Sequence, residues 1–146
     1  MESAVIPASL DLVWDIVSKV DFSWWGLVES TALVDGLSAR TLDATVSIAF
    51  KDGHTWTVAV RELSSIHHKI TFEVIAVEPA SLVSAAVHSI SLQRVTTNPG
   101  ATGATYVEWT TDFSSDATLE VVSDASFKRK EALADLAKIS SSPREA

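Results

Sequence analysis

Cysteine is absent from the 146 residues, which removes disulfide staples, thiol nucleophiles and thiolate metal sites together. A chain without thiol chemistry suits a reducing compartment, and the cytoplasm is the expected location. Positive charge is scarce, with eleven Lys and Arg against nineteen Asp and Glu and a formal charge of -8. That sign repels phosphate backbones and anionic bilayers, so nucleic acid is not an expected partner. Long apolar runs are missing as well. The stretch SLVSAAVHSISL is broken by Ser84, His88 and Ser89, far short of the roughly 20 apolar residues a spanning helix needs. No stable membrane insertion is expected. The opening MESAVIP carries Glu2 and no basic segment, unlike a secretory signal. No fixed-period repeat is visible.

What remains is a globular composition, 47% apolar and 21% charged. A chain of this size buries roughly two thirds of its unfolded surface, enough for one core. Residues 1–139 read as a single domain and 140–146 as a disordered tail.

The pattern begins with a short strand, SAVIP, after which Ser9 is placed to cap a helix over LDLVWDIVSKV. Leu10, Val13, Trp14 and Val17 recur at three and four residues and mark its buried stripe, with Asp11, Asp15, Ser18 and Lys19 facing water. DFSWWGL follows as a second short helix or turn ended by Gly26. From Val28 to Phe113 the period changes to two, with strands expected at 28–34, 40–50, 55–63, 68–76, 83–93 and 104–113. In TLDATVSIAF, Leu42, Ala44, Val46, Ile48 and Phe50 share one face. Asp52-Gly53 signals a tight hairpin, and NPGATG a longer turn. The chain closes with a helix of some six turns, its stripe formed by Leu119, Val122, Leu133 and Leu136. The fold class is therefore α+β, a seven-stranded antiparallel sheet curled around a long C-terminal helix, with two short helices after the first strand.

VIPASLDLVWDIVSKVDFSWW at the start, KDG at the central hairpin, TYVEWTTDF as the last strand and EALADLAK in the closing helix carry a family likeness. In order and spacing the chain resembles the helix-grip superfamily, which includes START domains, pathogenesis-related class 10 proteins and polyketide cyclase/dehydrase-like proteins. It is most similar to the last group. The resemblance implies an internal cavity for a hydrophobic molecule, closed at one end by a tryptophan after the first helix. Departures are equally plain. VDGLSAR stands where the class 10 group has a glycine-rich loop, and KDGH and VEPASL stand where plant hormone receptors of this fold have gate and latch. Val58 falls where many cyclase-like relatives carry a cavity glutamate, so no catalytic carboxylate is evident.

The inward faces supply the candidate ligand wall: Val46, Ile48, Phe50, Trp56, Val58, Val60, Phe72, Val74, Ala86, Ile90, Trp109 and Phe113. Trp24 and Trp25 either close one end of this space or fill core between helices and sheet. His88 is the one polar group among them. A neutral imidazole there can bond a ligand carbonyl or hydroxyl, or move a proton near pH 7, unless a neighbouring side chain or water satisfies it. It is the sole catalytic candidate. His67 and His68 face opposite ways on a strand, and with His54 on a turn no metal site is expected. Arg61 with Glu62 and the run from Lys128 to Glu131 read as solvated faces. No nucleophile elbow or nucleotide loop is present, and no cofactor is implied.

Three functions follow from this sequence. Binding or transport of a lipid, sterol, isoprenoid or aromatic polyketide by a monomer or weak dimer is favoured. A cyclase- or dehydratase-like enzyme using His88 is the second, and an interaction module with a filled interior the third.

Overall fold

The computed structural model describes residues 1–36, 38–78, 86–96 and 103–141. Strand β1 (Glu2–Ile6) leads into helix α1 (Leu10–Val17). Six strands follow: β2 (Val28–Asp35), β3 (Thr45–Phe50), β4 (Thr55–Ser64), β5 (Lys69–Glu78), β6 (Ala86–Arg94) and β7 (Thr105–Phe113). Helix α2 (Leu119–Ser141) completes the chain. All neighbours in the sheet are antiparallel, in the order β1-β7-β6-β5-β4-β3-β2. Six of the strands form a meander, and β1 returns to pair with β7. The result is the α+β arrangement expected from the sequence, one twisted antiparallel sheet curled around the final helix.

Local chemistry accounts for most boundaries. Ser9 caps α1 by accepting a hydrogen bond from the Leu12 amide at 3.3 Å. Alternation of buried and half-buried residues runs the length of β3, which is what a half-wet sheet requires. The hairpin at Lys51–His54 uses a single left-handed residue, Gly53 at φ 91°. Asp52 contributes through its carboxylate instead, which accepts from the His54 amide at 3.0 Å.

Several expectations are corrected. One helix follows β1, not two: Val20 and Phe22 take left-handed φ of 55° and 52°, so residues 20–27 form turns. The cause is packing, since this backbone drives both side chains into the core at 1% exposure each. In α1 the buried stripe is Leu10, Val13, Ile16 and Val17, with Ser18 buried beside it and Trp14 only half-buried against His68. β3 begins at Thr45, because Asp43 at φ 62° breaks the strand and leaves Leu42 exposed. On α2 Leu119 and Val122 of the first turn are exposed, while Ala132, Leu133 and Leu136 farther along are buried. The helix also runs through Ser140 and Ser141, and Ser140 is buried, so the expected tail boundary at 140 falls inside α2. The expected start of β6 at residue 83 and most of the NPGATG turn lie outside the described residues, as do Pro79 to Leu82 of VEPASL.

Candidate functional site

The antiparallel register sets the centre of the concave face. One cross-strand row runs Val60, Phe72, His88, Thr111 through β4, β5, β6 and β7. The next runs Ile70, Ile90, Trp109, Glu2 through β5, β6, β7 and β1. His88 thus stands among neighbours two residues apart on alternating strands, all pointing to the side that α2 covers.

Around it the aromatic side chains form one connected group. The His88 ring stacks on Phe72 at 5.0 Å and on Trp56 at 5.4 Å, with Trp109 edge-on at 5.9 Å. Trp56 continues to Phe50 at 4.8 Å and Trp25 at 6.1 Å. Trp25 meets Trp109 at 5.3 Å and stacks with Trp24 at 6.4 Å. Edge-to-face geometry dominates, the arrangement the ring quadrupoles prefer.

Hydrogen bonds define the chemistry of His88. Its Nδ1 accepts from Trp109 Nε1 at 3.1 Å and lies 2.9 Å from Thr111 Oγ1. Thr111 Oγ1 in turn accepts from Arg129 Nη1 at 2.9 Å, and Arg129 Nη2 reaches Glu2 Oε1 at 3.3 Å. Glu2 also accepts from Ser126 Oγ at 2.6 Å. That bond, together with the Arg129 guanidinium, holds the Glu2 carboxyl below its ordinary pKa, against an opposing effect of burial. Burial foremost, then the Arg129 charge, pushes His88 from 6.5 down to about 3. The imidazole is neutral at physiological pH, so titration near pH 7, which base catalysis would use, is not available to it. As an indole N–H only donates, Nδ1 is the unprotonated nitrogen and Nε2 carries the hydrogen. Both side-chain hydrogen bonds of the ring fall on Nδ1.

Two N–H groups are buried without a partner among the described residues, Trp25 Nε1 and Arg129 Nε. Trp25 lies at the heart of the aromatic group at 2% exposure and Trp24 at 3%, so both belong to the packed interior. Trp24 also lines a shallow surface recess of about 280 Å³, with Ser23, Gly26, Asp135, Lys138 and Ile139. The turn carrying the two tryptophans is fastened to α2 by a bond from the Gly26 amide to Asp135 Oδ2 at 2.9 Å.

The strand register brings the residues of the candidate wall to one face. Val46, Ile48, Phe50, Val58, Val60, Phe72, Val74, His88, Ile90 and Trp109 are buried, while Trp56, Ala86 and Phe113 are half-buried. Arg129 is the residue that sequence reasoning missed. It is 5% exposed, not part of a solvated face, because it lies four residues before Leu133 and seven before Leu136 on the buried stripe. Arg61, by contrast, is exposed and pairs with Asp43 and Glu73. Among the described residues no cluster of three metal-ligating side chains occurs, and no helix is long and apolar enough to cross a membrane.

No protein-family model and no curated protein matches the chain. Solved structures do. The chain is similar to a structural-genomics protein from Nitrosospira multiformis, with a TM-score of 0.81 and 26% identity over 97% of this chain and 94% of that one. It is also similar to the protein XoxI from Bacillus cereus (TM-score 0.77, 19% identity, 94% and 92% covered). A third similar structure comes from Bacillus thuringiensis (TM-score 0.77, 18% identity, 95% and 96% covered). At such identities the two Bacillus structures speak to the fold alone. All three share with this chain the antiparallel sheet closed by a C-terminal helix, over nearly the full length of each.

Proposed function

We propose that this protein binds a hydrophobic small molecule carrying an oxygen acceptor, held between the concave sheet and α2, as a member of the helix-grip superfamily most similar to its cyclase-like branch. Lipids, sterols, isoprenoids and aromatic polyketides with a carbonyl or hydroxyl are the fitting classes. The observation that carries this reading is the imbalance of polar groups inside an apolar wall. The rings of His88 and Trp25 both adjoin Trp56 and Trp109; the Trp25 Nε1–H is buried without a partner among the described residues, and the side-chain bonds of His88 fall on Nδ1. A buried donor left unmade costs about 1–3 kcal/mol, and a ligand oxygen removes that cost on binding. The recess is lined by Trp24, whose ring packs on Trp25 and Trp109. Burying about 300 Å² of apolar ligand surface at about 25 cal/mol per Å² gives roughly 7 kcal/mol before immobilisation, which corresponds to micromolar affinity.

A titration followed by indole resonances tests this reading. With acetylnaphthalene as the probe, the Trp25 indole N–H shifts strongly as it gains a partner. The Trp109 N–H, already bonded to His88, moves little. No change at any indole under saturating probe would count against an accessible interior. That result would favour the second reading, a filled core, for which the close packing of Trp24, Trp25 and Trp109 is the specific support.

A further inference from the structure

The partners of His88 all act in one direction. Arg129 is donor-only, so its bond to Thr111 Oγ1 occupies a lone pair of the hydroxyl and leaves the hydroxyl hydrogen free to turn toward His88 Nδ1. Trp109 is donor-only as well and points at the same nitrogen. Glu2 and Ser126 anchor the far side of Arg129. The chain Glu2, Arg129, Thr111, His88 therefore joins β1, α2, β7 and β6 in a single orientation.

We propose that Trp109 and the Arg129-held Thr111 lock His88 as the Nε2–H tautomer, and that this lock makes the interior select ligands presenting an oxygen acceptor over hydrocarbons of the same shape. Thr111, Trp109 and Arg129 are positioning residues; His88 is the group that meets the ligand. With Nδ1 engaged by two donors, the ring offers nothing to a ligand donor. A ligand hydroxyl is bound through its oxygen lone pair. The ligand class rests on the binding reading given above, whereas the tautomer lock stands independently of it.

The test has two parts. First, long-range 1H–15N correlation of histidine-labelled, ligand-free protein at pH 7 reads which ring nitrogen is protonated. The lock predicts one neutral form with Nδ1 bare. The Trp109→Phe/Thr111→Val variant gives a mixture of both tautomers, and Trp109→Phe/Thr111→Ser restores the single form. An Nδ1–H tautomer or an imidazolium in the wild type would overturn the lock. An unchanged single form in a folded Trp109→Phe/Thr111→Val protein would overturn the roles of Trp109 and Thr111. Second, calorimetry compares acetylnaphthalene with isopropylnaphthalene, which matches it in shape without the carbonyl oxygen. Tighter binding of the ketone by about fivefold, the factor one net hydrogen bond supplies, is expected. Equal affinities would refute the selection with the lock intact. Failure of both compounds to bind would refute the selection together with the binding reading, again leaving the tautomer result to stand.

Discussion

His88 links the stability of the protein to pH. Its folded pKa lies near 3, while in the unfolded chain it titrates near 6.5. Between these values the unfolded state binds a proton that the folded state refuses, so stability rises with pH across this window. The contribution is complete above 6.5 and is lost as pH falls toward 3, at a limiting slope of about 1.4 kcal/mol per pH unit. Glu2 and Asp52, whose carboxyls the fold holds below 4.5 and 3.8, contribute their own acid loss at lower pH. Urea unfolding between pH 6.5 and 4.5 therefore isolates His88. The wild type loses stability steadily over that range, and His88→Gln, which keeps an acceptor but does not titrate, is predicted to lose that component. The position of His88 was legible in the sequence, because SAAVHSISL alternates and places it with Ile90 and Leu92. Its chemistry was not, because Trp109, Thr111 and Arg129 reach it from 21, 23 and 41 residues away along the chain. Arg129 was hidden for a simpler reason. It stands inside Lys128-Arg129-Lys130-Glu131, and the charge run masks a helical spacing to Leu133 and Leu136 that puts it on the buried side.

Among the elements, the turn that carries Trp24 and Trp25 is the least regular and the most instructive. A helix-like composition predicted a second helix there, and the structure has isolated turns with two left-handed residues. Sequence cannot reveal this, since Val20 and Phe22 leave the favoured regions only because the core accepts their side chains. The strands were easier to foresee, as period-two alternation over β3 to β7 states both the element and its wet face. Fastening of the tryptophan turn to α2 rests on Asp135 accepting from the Gly26 amide. A Cβ on Gly26 would stand 3.0 Å from the Asp135 carboxylate oxygen, so even alanine crowds this contact. Asp135→Ala is predicted to lower stability by about 1–2 kcal/mol, as a bond to a charged group is lost from a partly solvated position. Asp135→Asn, which retains an acceptor, loses less. Chemical denaturation of the two variants against wild type checks the order, and equal losses would show that the carboxylate acts through something other than the Gly26 amide.

Taken together, the architecture is one sheet wrapped on one helix, with a mostly apolar interior crossed by one line of hydrogen bonds from Glu2 through Arg129 and Thr111 to His88. The long helix does more than cover the sheet. Through Arg129 and Asp135 it holds both the histidine's partners and the tryptophan turn, so a molecule lodged under α2 would be sensed at either place. The fold was readable from order and spacing alone, and structures from Nitrosospira and Bacillus share it. The proposed ligand class was not readable in full, since an apolar wall specifies size and greasiness, while the polar partners of His88 are brought together only in the folded chain. Native mass spectrometry of the protein purified from its own source, followed by denaturing release, is the most direct test. Our account predicts a stoichiometric adduct that is lost on unfolding and proves to be a hydrophobic compound bearing a carbonyl or hydroxyl oxygen. A chain that carries no adduct and also gains none from acetylnaphthalene would contradict it.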